Sequence, residues 1–94
     1  MSEEIVKNFE YAVQQVKTND NKSNTRSLPD EVKLKFYALY KQATVGKCNI
    51  SKPWMIQVTE CAKWEAWDSL GSMSKEIAMK RYYKLYIETM DKYT

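Results

Sequence analysis

The sequence predicts an all-α domain built as a four-helix bundle, and three observations predict it. Two Gly and two Pro in 94 residues leave too little turn punctuation for a β-sandwich or a string of hairpins. Apolar residues recur at spacings of three and four in four separate stretches of the chain. With 44% apolar and 29% charged residues, the composition is that of a soluble globular protein and too hydrophobic for a disordered one. A chain of this length holds a single core, so one domain over residues 1–94 is expected.

The first helix is expected over about residues 3 to 18, where Ile5, Phe9, Ala12, Val13 and Val16 share one face. Ser2 can cap it, and Glu3 and Glu4 suit the positive end of its dipole. A polar run, Asn19 to Ser27, follows as the one plausible long loop. The second helix should begin near Pro29, where a missing N–H costs nothing, with Asp30 and Glu31 in its first turn and Gly46 at its close. Val32, Phe36, Leu39 and Ala43 form its core stripe, and Tyr37, Tyr40, Lys41 and Thr44 form a second face. After an irregular stretch containing Pro53, Thr59 is expected to cap a third helix running to Leu70, with Trp64, Trp67 and Leu70 inward and Gly71 ending it. Ser74 caps the fourth, along which Ala78, Tyr82, Leu85, Tyr86, Thr89, Met90 and Tyr93 recur at helical spacing.

Composition removes several function classes. There is no histidine and there are only two cysteines, Cys48 and Cys61, so a four-ligand nitrogen and sulfur zinc site cannot be assembled from one chain. Without imidazole there is no Ser-His-Asp or Cys-His nucleophile and no ordinary general base near neutral pH, so no enzyme, metal or cofactor is expected. Two cysteines do not make a disulfide framework, and residues 1–20 lack the apolar core of a signal peptide, which points to a reducing, cytoplasmic setting. The longest apolar run is the five residues Phe36 to Tyr40, too short to span a bilayer.

Charge is unevenly spread. The whole chain carries +3, yet Lys33 to Lys63 holds six lysines against Glu60 alone. Tyrosine and tryptophan rings beside such lysines are what a phosphorylated nucleotide requires, with a face for stacking and N–H and O–H donors for phosphate oxygens. Tyr37 and Lys41 stand one turn apart on the second helix, Lys63 precedes Trp64 on the third, and Tyr82 lies on the fourth. Taken by themselves, these residues fit the plainer account better, with Tyr37 and Tyr82 packed at the core edge and the lysine heads in water.

Two segments, Phe36-Tyr-Ala-Leu-Tyr-Lys-Gln-Ala-Thr-Val-Gly46 and Ala62-Lys-Trp-Glu-Ala-Trp67, closely resemble the signatures of acyl-CoA-binding proteins. The similarity continues through Met73-Ser-Lys-Glu-Ile-Ala-Met-Lys-Arg-Tyr82 and, more weakly, at Phe9, Ala12, Val16 and Lys17, so it covers nearly the whole chain. The resemblance implies an up-down-down-up four-helix bundle that binds and carries medium- to long-chain fatty acyl-CoA esters without catalysis, delivering them to acyl-CoA-using enzymes. Tyr37, Lys41 and Lys63 would then bind the 3′-phosphate of the adenosine, Tyr82 would line the nucleotide site, and Lys17 would serve the remaining phosphates. Phe9, Ala12, Val13 and Leu34 would border the acyl groove, with Tyr40 and Trp64 beside the ligand. A monomer, binding neither nucleic acid nor a stable membrane site, is expected.

Two departures from the family pattern stand out. Pro53-Trp-Met55 replaces its usual Pro-Gly-Met, and Trp54 is expected to pack onto the bundle, with ligand or membrane contact as the alternatives. The Asn19 to Ser27 loop is longer than the family's and could alter access to the acyl groove. The rival functions are a helical protein-interaction module and a nucleotide-binding module without acyl-CoA selectivity.

Overall fold

The structure, a computed structural model, describes residues 2–21 and 28–93. Among these residues it contains four α-helices and no strand: α1 (Glu3–Asn21), α2 (Asp30–Thr44), α3 (Val58–Asp68) and α4 (Lys75–Tyr93). Helix α2 packs on both α3 and α4, while α1 packs on α4, so α2 and α4 form the middle of the bundle. No described helix is long and apolar enough to cross a membrane.

Several helix ends have an identifiable local cause. The Ser2 carbonyl accepts the Val6 N–H at 3.3 Å, which places Ser2 at the cap position ahead of Glu3 and Glu4. Pro29 stands at the cap of α2, its carbonyl taking the N–H groups of Val32 and Lys33, and Asp30 and Glu31 occupy the first turn. At the other end the Val45 and Gly46 N–H groups converge on the Lys41 carbonyl, and Gly46, at φ +104°, turns the chain where a side chain would be strained. Ser74 Oγ accepts the Ile77 N–H at 3.1 Å, the capping bond expected for α4.

Three boundaries differ from the sequence reading. Helix α1 runs on to Asn21, three residues into the expected loop, because an established helix adds one hydrogen bond for each residue it orders, even through Asn and Asp. The remainder of that loop, residues 22–27, lies outside the described residues. Thr59 does not cap α3: a turn closed by Gln57 N–H to the Trp54 carbonyl at 2.8 Å delivers the chain two residues early, and Gln57 takes the cap position. The same helix closes at Asp68 rather than Leu70, its end tightened by Leu70 and Gly71 N–H bonds to the Trp67 and Asp68 carbonyls.

The core joins Phe9, Ala12 and Val13 of α1, Phe36, Leu39 and Ala43 of α2, and Ala78 and Tyr82 of α4. Tyr82 sits edge-on to both Phe9 and Phe36, with ring centres 5.2 and 5.1 Å away. Trp67 is buried and donates its indole N–H to the Gly46 carbonyl at 2.8 Å, closing the end of α2 against α3. Gln42 is wholly buried, and its side-chain amide donates to the carbonyls of Gly71 and Met73 at 3.0 and 2.7 Å. Those two bonds fasten the α3–α4 connection to the middle of the bundle. Trp54 does not pack: 82% of it is exposed, since the turn that starts α3 holds its backbone and leaves its ring outside.

Candidate functional site

A cavity of about 280 Å³ opens beside α1, α2 and α4, lined by Val13, Val16, Lys17, Phe36, Tyr37, Tyr40 and Tyr82. A neighbouring cavity of about 420 Å³ shares Val13, Lys17 and Tyr40 with it and adds Phe9, Glu10, Gln14 and Thr44. The spacing of Phe9, Val13 and Val16 turns the apolar edge of α1 toward this trough, and Tyr37, Tyr40 and Thr44 recur along α2 on its opposite wall. Helix α4 supplies Tyr82 from behind, held there by Phe9 and Phe36.

Aromatic faces hold the lysines. Lys17 Nζ lies 5.9 Å from the Tyr40 ring centre, and Lys63 Nζ lies 5.5 Å from that of Tyr37. Lys41 Nζ stands 5.0 Å from the Trp67 ring, one helical turn beyond Tyr37. Lys63 also approaches Glu60 Oε1 at 3.7 Å, a partner it could exchange for a stronger anion. Burial, then the charges of Glu60 and Cys48, raises the Tyr37 hydroxyl above its ordinary range, and burial, assisted by Tyr40, does so strongly for Tyr82. Both phenols therefore keep their protons at neutral pH and present O–H donors.

The structure brings together most of the residues singled out from sequence. Tyr37, Tyr40, Tyr82 and Lys17 line one cavity, and Lys63 reaches it through the Tyr37 ring. Phe9 and Val13 line the adjoining cavity, whereas Ala12 is wholly buried and lines neither, contributing by close packing of α1 on its neighbours. Leu34 falls elsewhere. It lines a larger cavity of about 700 Å³ with Ala38, Leu39, Leu70 and Leu85, which faces away from Tyr37 and Tyr40 because its α2 residues lie on the other side of the helix. Trp64 is half-buried and outside both trough cavities; its indole N–H donates to the Ile50 carbonyl at 2.8 Å, and Lys52 Nζ lies 6.0 Å from its ring. Glu10 and Gln14 were missed in the sequence, although their spacing from Lys17 on α1 carries the signal.

Such a trough suits a ligand with a polyanionic, aromatic end and an apolar end. Ammonium groups and phenols can donate to phosphate oxygens, ring faces can stack on a base, and Phe9, Val13 and Val16 offer an apolar strip. Among the described residues no group of three or more His, Cys, Asp or Glu side chains could hold a metal ion.

Comparison with known proteins gives a consistent result. Residues 6–86 match the family model described as acyl CoA binding protein. The chain is 45% identical over 85 residues to the acyl-CoA-binding protein of Dictyostelium discoideum, covering 90% of this chain and 95% of that one. It is 47% identical over 79 residues to enoyl-CoA delta isomerase 2 of Homo sapiens, covering 84% of this chain but spanning only 19% of that relative's length. The crystal structure of an acyl-CoA-binding protein from Moniliophthora perniciosa superposes with a TM-score of 0.84 at 38% identity, over 98% of this chain and 83% of that one. With the match spanning all four helices, the chain belongs to the acyl-CoA-binding protein family.

Proposed function

We propose that this chain binds medium- to long-chain fatty acyl-CoA esters and carries them without catalysis, as a cytoplasmic buffer that delivers them to acyl-CoA-using enzymes. The observation that carries this reading is the convergence of Lys17, Tyr37, Tyr40 and Tyr82 on one cavity, with Lys63 on the Tyr37 ring and the apolar strip of Phe9 and Val13 alongside. In it, Tyr37, Lys41 and Lys63 bind the 3′-phosphate, Tyr82 lines the nucleotide site, and Lys17 meets the other phosphates. The acyl chain lies along Phe9 and Val13 past Tyr40, while Leu34 and Trp64 take part only where the chain passes beyond the trough. The binding unit is the single domain 1–94, acting as a monomer.

The energetics are adequate. Each hydrogen bond to a charged phosphate contributes about 1.5–3 kcal/mol. Burying acyl methylenes at about 0.8 kcal/mol each adds on the order of 10 kcal/mol for a long chain, before association costs. Titration calorimetry with palmitoyl-CoA, CoA and palmitate tests the reading. The thioester should bind far more tightly than either fragment, with no release of free thiol on prolonged incubation. Equal affinity for all three, or hydrolysis of the thioester, would sink it.

A further inference from the structure

The connection between α2 and α3 displays its largest apolar side chains to water. Trp54 is 82% exposed, Met55 and Ile56 85% each and Val58 74%, in a sequence run of five residues. Met55 and Val58 also edge a shallow cavity of about 280 Å³ shared with Lys52, Cys61, Ala62 and Glu65, while Trp54 and Ile56 lie outside it. The backbone of this tip is already fixed: Gln57 N–H bonds the Trp54 carbonyl at 2.8 Å, and the Cys61 thiol points at the Pro53 and Trp54 carbonyls from 3.3 and 3.1 Å. Little ordering remains to be done when the tip meets a partner. The trough does not account for it, since none of Trp54, Met55, Ile56 and Val58 lines either trough cavity.

We propose that this tip is a peripheral docking element for anionic lipid bilayers. An exposed cluster of Trp, Met and Ile fits a medium that closes around it, and indole rings favour the headgroup level, where one face is apolar and the N–H stays wet. The charge flanking the tip has the matching sign. Lys47 and Lys52 are exposed on the same connection, and no Asp or Glu occurs between Val32 and Thr59. Lys52 pairs with Glu65 at 3.0 Å, both exposed, so its ammonium can turn toward a lipid phosphate at small cost. The connection is tied to α3 as well, since the Trp64 indole N–H donates to the Ile50 carbonyl. Docking requires no bound acyl-CoA, so it stands or falls apart from the reading above.

The test is sedimentation of the ligand-free full chain with phosphatidylcholine vesicles, with and without phosphatidylserine, alongside tryptophan emission. The wild type should sediment with the anionic vesicles, less so at high salt, with its emission shifted to the blue. Trp54→Ser and Ile56→Ser, alone and together, should retain the helical circular dichroism and the affinity for palmitoyl-CoA. The pair should lower vesicle partitioning at least tenfold, about 1.4 kcal/mol, and remove the blue shift. Failure of the wild type to sediment would overturn the proposal, as would equal partitioning of the double variant. So would a Trp54-dependent dimer without vesicle binding, which would assign the tip to a second copy of the chain.

Discussion

Replacing Tyr37 by Phe separates donor from packing. The ring is half-buried on α2 and carries the Lys63 ammonium 5.5 Å from its centre, so phenylalanine preserves both the contact area and the cation–π support. What disappears is one O–H, which burial keeps protonated and therefore able to donate. If that hydroxyl donates to the 3′-phosphate, its loss costs about 1.5–3 kcal/mol, roughly tenfold to 150-fold in Kd. Stability should change by no more than about 0.5 kcal/mol, as for other substitutions that open no cavity. Calorimetric titration of wild type and Tyr37→Phe with palmitoyl-CoA and with its 3′-dephospho analogue forms a double-mutant cycle. The variant should lose affinity for the first and almost none for the second. Equal losses on the two ligands would place the hydroxyl away from the 3′-phosphate, and no loss on either would return Tyr37 to a packing role.

Two further outcomes follow from the buried aromatics. Trp67→Ala should destabilise the protein by roughly 3–5 kcal/mol, because it empties a fully buried site and leaves the Gly46 carbonyl without its indole donor; urea denaturation followed by circular dichroism would detect it. Tyr82 holds its proton well above the ordinary tyrosine value of 10.0. Its stabilising effect is therefore complete below that value and is lost as pH rises, since the unfolded chain releases the proton first. Urea midpoints should fall as pH rises past ~10, and Tyr82→Phe should make the fall shallower by up to one proton, with Tyr37, Tyr86 and Lys52 contributing to what is left. An unchanged slope would contradict the burial argument.

The helices were legible because their signals are local and repeated. The α1 stripe of Phe9, Ala12 and Val13, the Ser74 cap and the glycines at 46 and 71 each follow from spacing or from one residue's backbone freedom. Gln42 was illegible for the converse reason: its burial depends on two carbonyls 29 and 31 residues away, and no pattern within α2 announces them. Thr59 misled because capping preference is weak beside a preceding turn that already satisfies the backbone. The site divided along the same line. Tyr37, Tyr40 and Lys41 were grouped by helical spacing alone, whereas the contributions of Lys63, Lys17 and Tyr82, like the turning away of Leu34, depend on how α1, α3 and α4 lie across α2. Family resemblance grouped Lys63, Lys17 and Tyr82 with the α2 residues but misplaced Leu34, and periodicity could have done neither. Trp54 followed neither source, since its position is a departure from the pattern that supplied the rest.

A lysine steadied by a carboxylate must abandon that partner before it can grasp an incoming oxyanion, whereas one resting on a π-cloud has its location set while its three hydrogens remain on offer. Lys17 over Tyr40 and Lys41 over Trp67 are of the second kind, and Lys63, shared between Tyr37 and Glu60, straddles both. Much of the reorganisation that recognition would otherwise demand has thus been completed during folding, with hydrocarbon rings doing for positive charge what ion pairs do elsewhere, and leaving it reactive to whatever arrives.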